Sequence, residues 1–373
     1  MINIRQFTIL VLFFTTGSSI LFAPSVLIGM AEQDGWIAGL LAFSLSLLMV
    51  CLYGYLNKKI SNAGLIEAML TGFGPFFGSF FTIQYLFYFF ILSALALNDM
   101  GVFMLTEITP ETPIYAIYLI FMLVILLAIT YGIESLARTA ELFLPGVLTL
   151  LILLFLFLLP EVKLDEMLPM LENDMKSILH ATLNFFAFPF LELIVLLSIT
   201  PFVHNNKKVT KALMIGTAIG GFILLLFTFF AIWVMGPGET GSVNFPSYRL
   251  AQHIVIGNIA TRVEVVIAVI WVISLFIKLT LCFFALLQGI KQILGMQSIH
   301  ALRFPIAMLL IVLSPVMFPN YTYLLFFTQE IFWAYSSTYG IIIPLLLLIA
   351  MSWKQGKNGE EEGETGKKDV RIE

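Results

Sequence analysis

Hydrophobic residues occur along this chain in ten long runs, separated by short polar segments. A helix needs about 20 apolar residues to cross the hydrocarbon core of a bilayer, and each run is close to or above that length. The pattern therefore predicts an all-α integral membrane domain over residues 1–353, with ten transmembrane helices. The runs are 6–31, 35–56, 76–105, 113–131, 141–160, 177–203, 209–236, 265–290, 301–319 and 331–353.

Segments outside these runs differ in composition. The tail KQGKNGEEEGETGKKDVRIE, residues 354–373, is charged and rich in glycine, so it cannot bury enough apolar surface to fold. We expect it to be a disordered cytoplasmic tail. SNAGLIEAMLTG (61–72) and PSYRLAQHIVIG (246–257) have a locally helical pattern, and both are expected at a membrane interface.

Composition narrows the class of protein. The chain is 60% hydrophobic and 11% charged, whereas soluble domains carry about 25% charged residues, so a soluble protein is excluded. Both cysteines fall in apolar runs and the four histidines are scattered, so no metal-ligand spacing is present. We expect no metal, no cofactor, no enzymatic activity and no binding to nucleic acid.

Lysine and arginine are distributed unevenly between alternate loops. One set of loops holds nine of them and the tail holds five, which makes fourteen, against four in the other set. The loops with few basic residues are acidic instead. Because cytoplasmic loops carry the excess of Lys and Arg, both termini are predicted to be cytoplasmic.

Three runs carry polar or helix-breaking residues near their centres: TTGSS (15–19), Pro189 with Glu192 in FFAFPFLELI, and Lys278 in WVISLFIKLTLCFF. An internal proline costs a helix about 3 kcal/mol, and a charge in a membrane costs roughly 2.5–3.5 kcal/mol on insertion scales. At about 1.5 Å rise per residue, all three features fall close to the bilayer midplane. Their common depth indicates a shared site.

The first and sixth runs are the first members of two groups of five. Interruptions at corresponding positions of two halves are typical of inverted-repeat transporters, whose substrate site lies at the interruptions. Unwound backbone at membrane depth is tolerated only where protein, water or a ligand satisfies it. Glu192 would lie in the first turn of the second half-helix, where the helix dipole favours a carboxylate.

Each of these residues also has a purely structural interpretation. Gly17, Ser18 and Ser19 are compatible with a close helix contact through small residues, and Pro189 with a simple kink. Glu192 is compatible with a buried structural pair or a protonated acid. Lys278 is too far from either end of its run to reach the interface, which leaves a structural ion pair or a functional cation.

Four stretches together resemble a known family. SSILFAPSVLIGMAEQDGWIAGLL (18–41), NFFAFPFLELIVLL (184–197), FPSYRLAQHI (245–254) and FIKLTL (276–281) are similar to the B subunits of spore germinant receptors, within the amino acid/polyamine/organocation permease superfamily. The resemblance implies a ten-helix LeuT-like fold, a 5+5 inverted repeat with helices 1 and 6 broken. It also implies a location in the inner membrane of a bacterial endospore.

The resemblance further implies that the protein senses a small nutrient, commonly an L-amino acid, with an A subunit and a lipoprotein C subunit. Lys278 matches a helix 8 lysine of the family, placed where related sodium-coupled transporters hold a cation. Many members read FPFGE, and here Leu191 replaces the glycine, which bears on how far helix 6 unwinds. The family's ligand pocket maps onto Gly17, Ser18, Ser19, Ile20, Phe188, Pro189, Phe190, Leu191 and Glu192.

Two functions fit this pocket equally well: a nutrient receptor, and a proton- or cation-coupled amino acid permease with real transport activity. In either case we expect Glu192 to accept a ligand's ammonium group and Lys278 to brace helix 8 against helix 1, with no contact needed between them. The competing hypothesis is a direct structural ion pair between these two residues. The sequence does not separate these alternatives.

Overall fold

The computed structural model describes residues 1–60, 63–254 and 262–354, and within these ranges the regular structure is helical. A lone β-bridge joins Ile2 to Val203. The α-helices are α1 Ile4–Thr16, α2 Ser19–Ala31, α3 Gly35–Ile60, α4 Gly64–Phe73, α5 Pro75–Phe103, α6 Ile114–Tyr131, α7 Ile133–Leu158, α8 Met175–Phe185, α9 Val209–Ser242, α10 Pro246–Gln252, α11 Glu264–Ile293, α12 Arg303–Met317, α13 Tyr321–Phe326 and α14 Phe332–Ser337.

Short 3-10 and π-helical turns connect or extend these helices. Several occur inside long apolar helices, where they change the direction of the chain without ending the helix. The 3-10 segments are Glu32–Asp34, Leu159–Glu161, Leu164–Met167, Leu191–Ser198, Thr200–Phe202 and Asn206–Lys208, and the π-turns are Met104–Ile108, Phe186–Phe190, Phe327–Ile331 and Thr338–Ile342.

Eight helical segments of the described chain are long and apolar enough to cross a membrane. One of them, Ser19–Ile60, contains both α2 and α3, which are joined by the 3-10 turn Glu32–Asp34. The shorter apolar helix α1 covers the first half of the first predicted run, and α12 corresponds to the ninth. The all-α membrane fold is therefore confirmed, while the number of ten crossings remains a prediction.

The last helix begins earlier than the hydropathy pattern predicted. The predicted run starts at residue 331, but the structure has a continuous helix from Tyr321 to Lys354. The polar residues Thr328, Gln329 and Glu330 lower the local hydropathy, and in the structure they form the π-turn within this helix. Residues 355–373 lie outside the described chain, so disorder of the tail remains a prediction.

Both short segments predicted as interfacial helices are helical. The first is α4, which begins at Gly64, and the second is α10, which ends at Gln252. Residues 61, 62 and 255–257 of the two predicted segments lie outside the described chain.

Close packing of helix 1 depends on small residues of α9. A Cβ added to Gly216 would lie 2.6 Å from Val11 Cβ, and one added to Gly220 would lie 2.8 Å from Thr15 Cβ. Glycines let two helix backbones approach in a membrane, where packing rather than the hydrophobic effect drives association. Helix α9 therefore holds both halves of helix 1 in place.

One end of the bundle gathers the segments rich in Lys and Arg, and we call it the basic end. There the Met1 ammonium pairs with Glu134, and Lys59 Nζ donates to Ser352 Oγ at 2.6 Å. Arg303 donates in the same region to a hydroxyl of α6. Loops far apart in sequence that were predicted to share one side of the membrane therefore meet in space.

The opposite end carries the acidic loops, and we call it the acidic end. Asp34 Oδ1 accepts a hydrogen bond from the backbone N–H of Leu171 at 2.7 Å, and the backbone N–H of Lys163 donates to Trp233 O at 2.8 Å. This arrangement agrees with the predicted alternation of loops. The membrane side on which each end lies remains a prediction from the charge asymmetry.

A labelling experiment tests that orientation. In a background with the exposed Cys51 replaced by serine, cysteines at Glu111 or Asp165 are expected to react with an impermeant maleimide from outside, and one at Lys208 is not. All three positions are exposed in the structure, so differences in labelling report the side of the membrane. Labelling of position 208 alone would reverse the predicted orientation.

Candidate ligand site at the broken helices

Helix 1 is broken near its middle, as predicted. Helix α1 ends at Thr16 and α2 begins at Ser19, and Gly17 between them has φ 3° and ψ −115°, outside the helical region. The Gly17 N–H still donates to Phe13 O at 2.8 Å. The break therefore frees the backbone groups that follow Gly17.

Helix 6 is broken at the predicted proline. Helix α8 ends at Phe185, and Phe188 within the following π-turn has φ −120° and ψ 106°, which is extended backbone. A 3-10 helix then starts at Leu191, so Glu192 lies in its first turn, as the sequence predicted. Proline favours such a break because it lacks an N–H and disfavours helical geometry in the residue before it.

Side chains from other helices satisfy carbonyl groups at both breaks. Trp271 Nε1 donates to Ser18 O at 3.2 Å, and the hydroxyl of Tyr53 donates to Leu191 O at 3.0 Å. Irregular backbone within a membrane requires such partners. Ser19 Oγ is buried without a hydrogen-bond partner in the described chain, so one polar group of the first break remains unused.

A buried ion pair lies where helices 1, 6 and 8 meet. Helix 8, the eighth predicted run, is α11 in the structure. Lys278 Nζ lies 2.6 Å from Glu192 Oε2 and donates to Ser18 Oγ at 2.8 Å. The lysine and glutamate side chains are 2% and 1% exposed. The distance between Lys278 Nζ and Glu192 Oε2 is that of an ion pair, but Oε2 accepts no hydrogen bond within the described chain. The structure thus has the direct ion pair that was the competing hypothesis.

Aromatic rings and Gly17 surround the lysine side chain. Lys278 Nζ lies 4.6 Å from the ring centroid of Phe188 and 5.7 Å from that of Phe14, within the range of a cation–π interaction. A Cβ added to Gly17 would lie 2.4 Å from Lys278 Cδ. The stem of Lys278 therefore fills the space beside Gly17.

A small cavity of about 60 Å³ adjoins the breaks. Phe22 and Ser25 of α2, Asp99 of α5 and Phe188 of the helix 6 break are among the residues that line it. The π-turn Phe327–Ile331 of the last helix, Tyr321–Lys354, which we call helix 10, contributes polar groups. In each of these helices, the residues that line the cavity lie between the middle of the helix and its acidic end. The cavity therefore lies on the acidic-end side of the two breaks.

Comparison with known proteins decides the family. The model of the family described as spore germination protein matches residues 1–322, which is most of the chain. The chain belongs to the spore germination protein family. Its implied resemblance to germinant-receptor B subunits is thereby confirmed at the level of the family.

Two relatives within the family match the chain along nearly its whole length. Spore germination protein KB of Bacillus subtilis (strain 168) is 28% identical over 98% of this chain and 99% of its own. Spore germination protein XB of Bacillus anthracis is 23% identical over 95% of this chain and 98% of its own.

A solved transporter structure shares the fold. Mhp1, a nucleobase-cation-symport-1 family transporter in a closed conformation with bromovinylhydantoin bound, has a TM-score of 0.54 and 12% identity, covering 86% of this chain and 72% of its own. At this identity the likeness shows the fold alone. It confirms the predicted LeuT-like architecture with helices 1 and 6 broken.

The predicted site residues differ in whether they line the cavity. Phe188 lines it. Lys278 does not, and forms the ion pair with Glu192. The other predicted residues are buried at the breaks without lining the cavity, so their part in ligand binding remains a prediction: Gly17, Ser18, Ser19, Ile20, Pro189, Phe190, Leu191 and Glu192.

Apart from Phe188, the cavity residues were missed by the sequence analysis, among them the polar residues Asp99, Asn184 and Gln329. Asp99 follows an asparagine inside the third apolar run, an uncommon polar pair that would have indicated a functional position. Asn184 is the first residue of the NFFAFPF stretch, and it was not identified as a site residue because Pro189 and Glu192 were the exceptional residues of that run. Gln329 belongs to the polar triad that was interpreted as a loop.

Proposed function

We propose that this protein is the nutrient-sensing membrane subunit of a spore germinant receptor and that it binds a small nutrient, an L-amino acid, in the cavity beside the two breaks. The carrying observation is the position of that cavity, walled by the second half of helix 1, the break of helix 6 and the π-turn of helix 10. These are elements that can move relative to one another in a LeuT-like fold. A ligand there would contact all three at once.

The proposed signal is a shift between two conformations. A ligand that binds the closed arrangement of these elements more tightly than the open one increases the closed population. The relatives are named spore germination proteins, which supports a role of this fold in germination. The proposal includes partner A and C subunits in the inner membrane of the spore, with both termini cytoplasmic.

Filling the cavity tests the site directly. We expect Ser25→Leu to weaken nutrient binding and the germination response at least about tenfold while the protein level stays near normal, because the added side chain takes ligand space from a half-buried helix position. Binding is measured as the thermal shift of the purified protein across the L-amino acids.

Ser44→Leu is the matched control. Ser25 Oγ donates to Phe22 O and Ser44 Oγ donates to Leu40 O, both at distances typical of a serine bonded to the preceding helical turn. Ser44 is exposed on α3, away from the cavity. Equal binding by the parent and both variants would contradict the proposed site.

A proton- or cation-coupled permease is the second candidate. The buried pair of Glu192 and Lys278 favours it, since a titratable pair that contacts both breaks could link protonation to their movement. Accumulation of labelled L-alanine in proteoliposomes containing this subunit alone, driven by a pH gradient, would support the permease. Binding without accumulation would support the receptor.

A further inference from the structure

Two side chains at the cavity, Asp99 and Asn184, have acceptor oxygens that lack a donor within the described chain. Asp99 lines the cavity, is 8% exposed, and makes no hydrogen bond or ion pair with the described residues. Asn184 also lines it, is 3% exposed, and its Oδ1 is buried without a partner. A buried polar group without a partner costs free energy, so both side chains favour a bound group that donates hydrogen bonds.

The orientation of the Asn184 amide is determined by its neighbours. Its Nδ2 donates to the backbone carbonyl of His180 at 3.0 Å, an oxygen that can only accept, and a second contact reaches the sulfur of Met30. The amide nitrogen is thus occupied. The oxygen of the amide is the atom left for a ligand.

Asp99 has no ion-pair partner among the described residues. No lysine or arginine lines the cavity among the described residues. Lys278, the nearby buried cation, is held by Glu192 and Ser18. The carboxylate of Glu192 is likewise engaged by Lys278, so the acid free to meet a ligand is Asp99.

The remaining walls are mainly apolar, with Phe22, Leu95, Leu324 and Phe332 among them. The volume of about 60 Å³ is several times the roughly 10–15 Å³ that a single water needs, so the cavity has room for a small molecule. A ligand of this size with an apolar body and one strongly donating end matches the walls. No lining side chain in the described part offers a cation to a carboxylate.

We propose that the cavity selects a primary ammonium group, held between the carboxylate of Asp99 and Oδ1 of Asn184, with a small aliphatic body against the aromatic wall. This inference rests on the proposed function, since it takes the same cavity as the ligand site. It assigns to Asp99 the role of ammonium acceptor that the sequence had suggested for Glu192. The ligand class is small amines and amino acids with short aliphatic side chains.

Three compounds of similar shape test the inference: isobutylamine, isobutanol and isobutyrate. At pH 7 the amine is protonated. We expect isobutylamine to raise the melting temperature of the purified full-length protein over a concentration range in which the alcohol and the carboxylate have no effect. Asp99→Asn is expected to weaken the amine effect at least about tenfold, because a charge-assisted hydrogen bond is lost.

The control variant is Asp165→Asn, which removes an exposed acid of the acidic end and is expected to leave the amine effect unchanged. Asn184→Leu provides a second test at the same site, independent of whether Asp99→Asn folds, and is also expected to weaken it. An unchanged amine effect in both Asp99→Asn and Asn184→Leu would overturn the inference. So would an equal shift with isobutanol or isobutyrate in the parent protein.

The failure of this inference and that of the proposed function give different results. If Ser25→Leu abolishes nutrient binding while Asp99→Asn and Asn184→Leu do not affect it, the cavity is the ligand site and the ammonium assignment is wrong. If none of the three variants changes nutrient binding, the cavity is not the ligand site and both proposals are wrong.

Discussion

Lys278→Met is expected to destabilise the protein by about 3–5 kcal/mol, because it leaves the Glu192 carboxylate buried without its counter-charge. The loss should be visible as a reduced protein level in the membrane and a lower free energy of unfolding in a mixed-detergent titration. Ser18 Oγ also loses its donor, so that of the two hydrogen bonds from helix 8 to Ser18 only the one from Trp271 remains. This is one of the two largest effects that we expect from a single substitution.

The double variant Glu192→Gln with Lys278→Met separates pair formation from the individual charges. Because no unpaired charge is left, we expect it to recover most of the stability that Lys278→Met removes. Lys291→Met, near the basic end of the same helix and partly exposed, is the control and should change stability by no more than about 0.5 kcal/mol. A double variant no more stable than Lys278→Met would show that the two residues are not coupled.

Recovery of stability without recovery of nutrient response would add a further conclusion. It would mean that the ion pair also takes part in the conformational change, since both residues contact a break. Full recovery of both properties would make the pair purely structural. Only full recovery of both properties would exclude Glu192 as the ligand's ammonium acceptor, which is the role assigned to Asp99.

Gly17→Ala is the second substitution with a large expected effect. The new Cβ would lie 2.4 Å from Lys278 Cδ and 2.9 Å from Phe14 O, and the lysine cannot move aside easily because Glu192 and Ser18 hold its Nζ. Overpacking of this kind costs about 1–3 kcal/mol, occasionally more. We expect Gly17→Leu to remove the protein from the membrane altogether, as judged by immunoblotting of membrane fractions.

Gly146→Ala is the matched control for this prediction. Nothing lies within 4 Å of a Cβ added to Gly146 in α7, so the substitution should stabilise that helix by roughly 0.5–1 kcal/mol. If Gly17 instead lines ligand space, as the family's pocket implies, a side chain there would block the ligand and leave the protein level normal. A Gly17→Leu protein present at normal level but unresponsive to nutrient would therefore contradict the packing explanation.

Local features of this protein could be predicted from its sequence. Hydropathy located the membrane helices, because a run of about 20 apolar residues has few other stable environments. The positions of the breaks in helices 1 and 6 were also predictable, because glycine and proline are the poorest helix formers, although a close helix contact and a simple kink were the alternatives at these positions. Glu192 fell in the first turn after its break for the same local reason.

Helical structure at residues 321–330 was not predictable in this way. Thr328, Gln329 and Glu330 lower hydropathy as a loop would, but in the structure they form a π-turn, and two of them line the cavity. Polar residues inside a membrane helix are tolerated when they face a cavity rather than lipid. Hydropathy averaged over a window does not contain that information.

Only the tertiary structure decided which residues meet. It brought Lys278 onto Glu192 and Gly17, and among the described residues it left the carboxylate of Asp99 and Oδ1 of Asn184 without a donor at one cavity. The sequence could not determine this because lipid is as apolar as the protein core, so a membrane helix is hydrophobic on its outer and inner faces alike. The rotation of each helix about its axis is set by close packing between helices, as α9 sets it against helix 1, and that packing exists only in the folded chain.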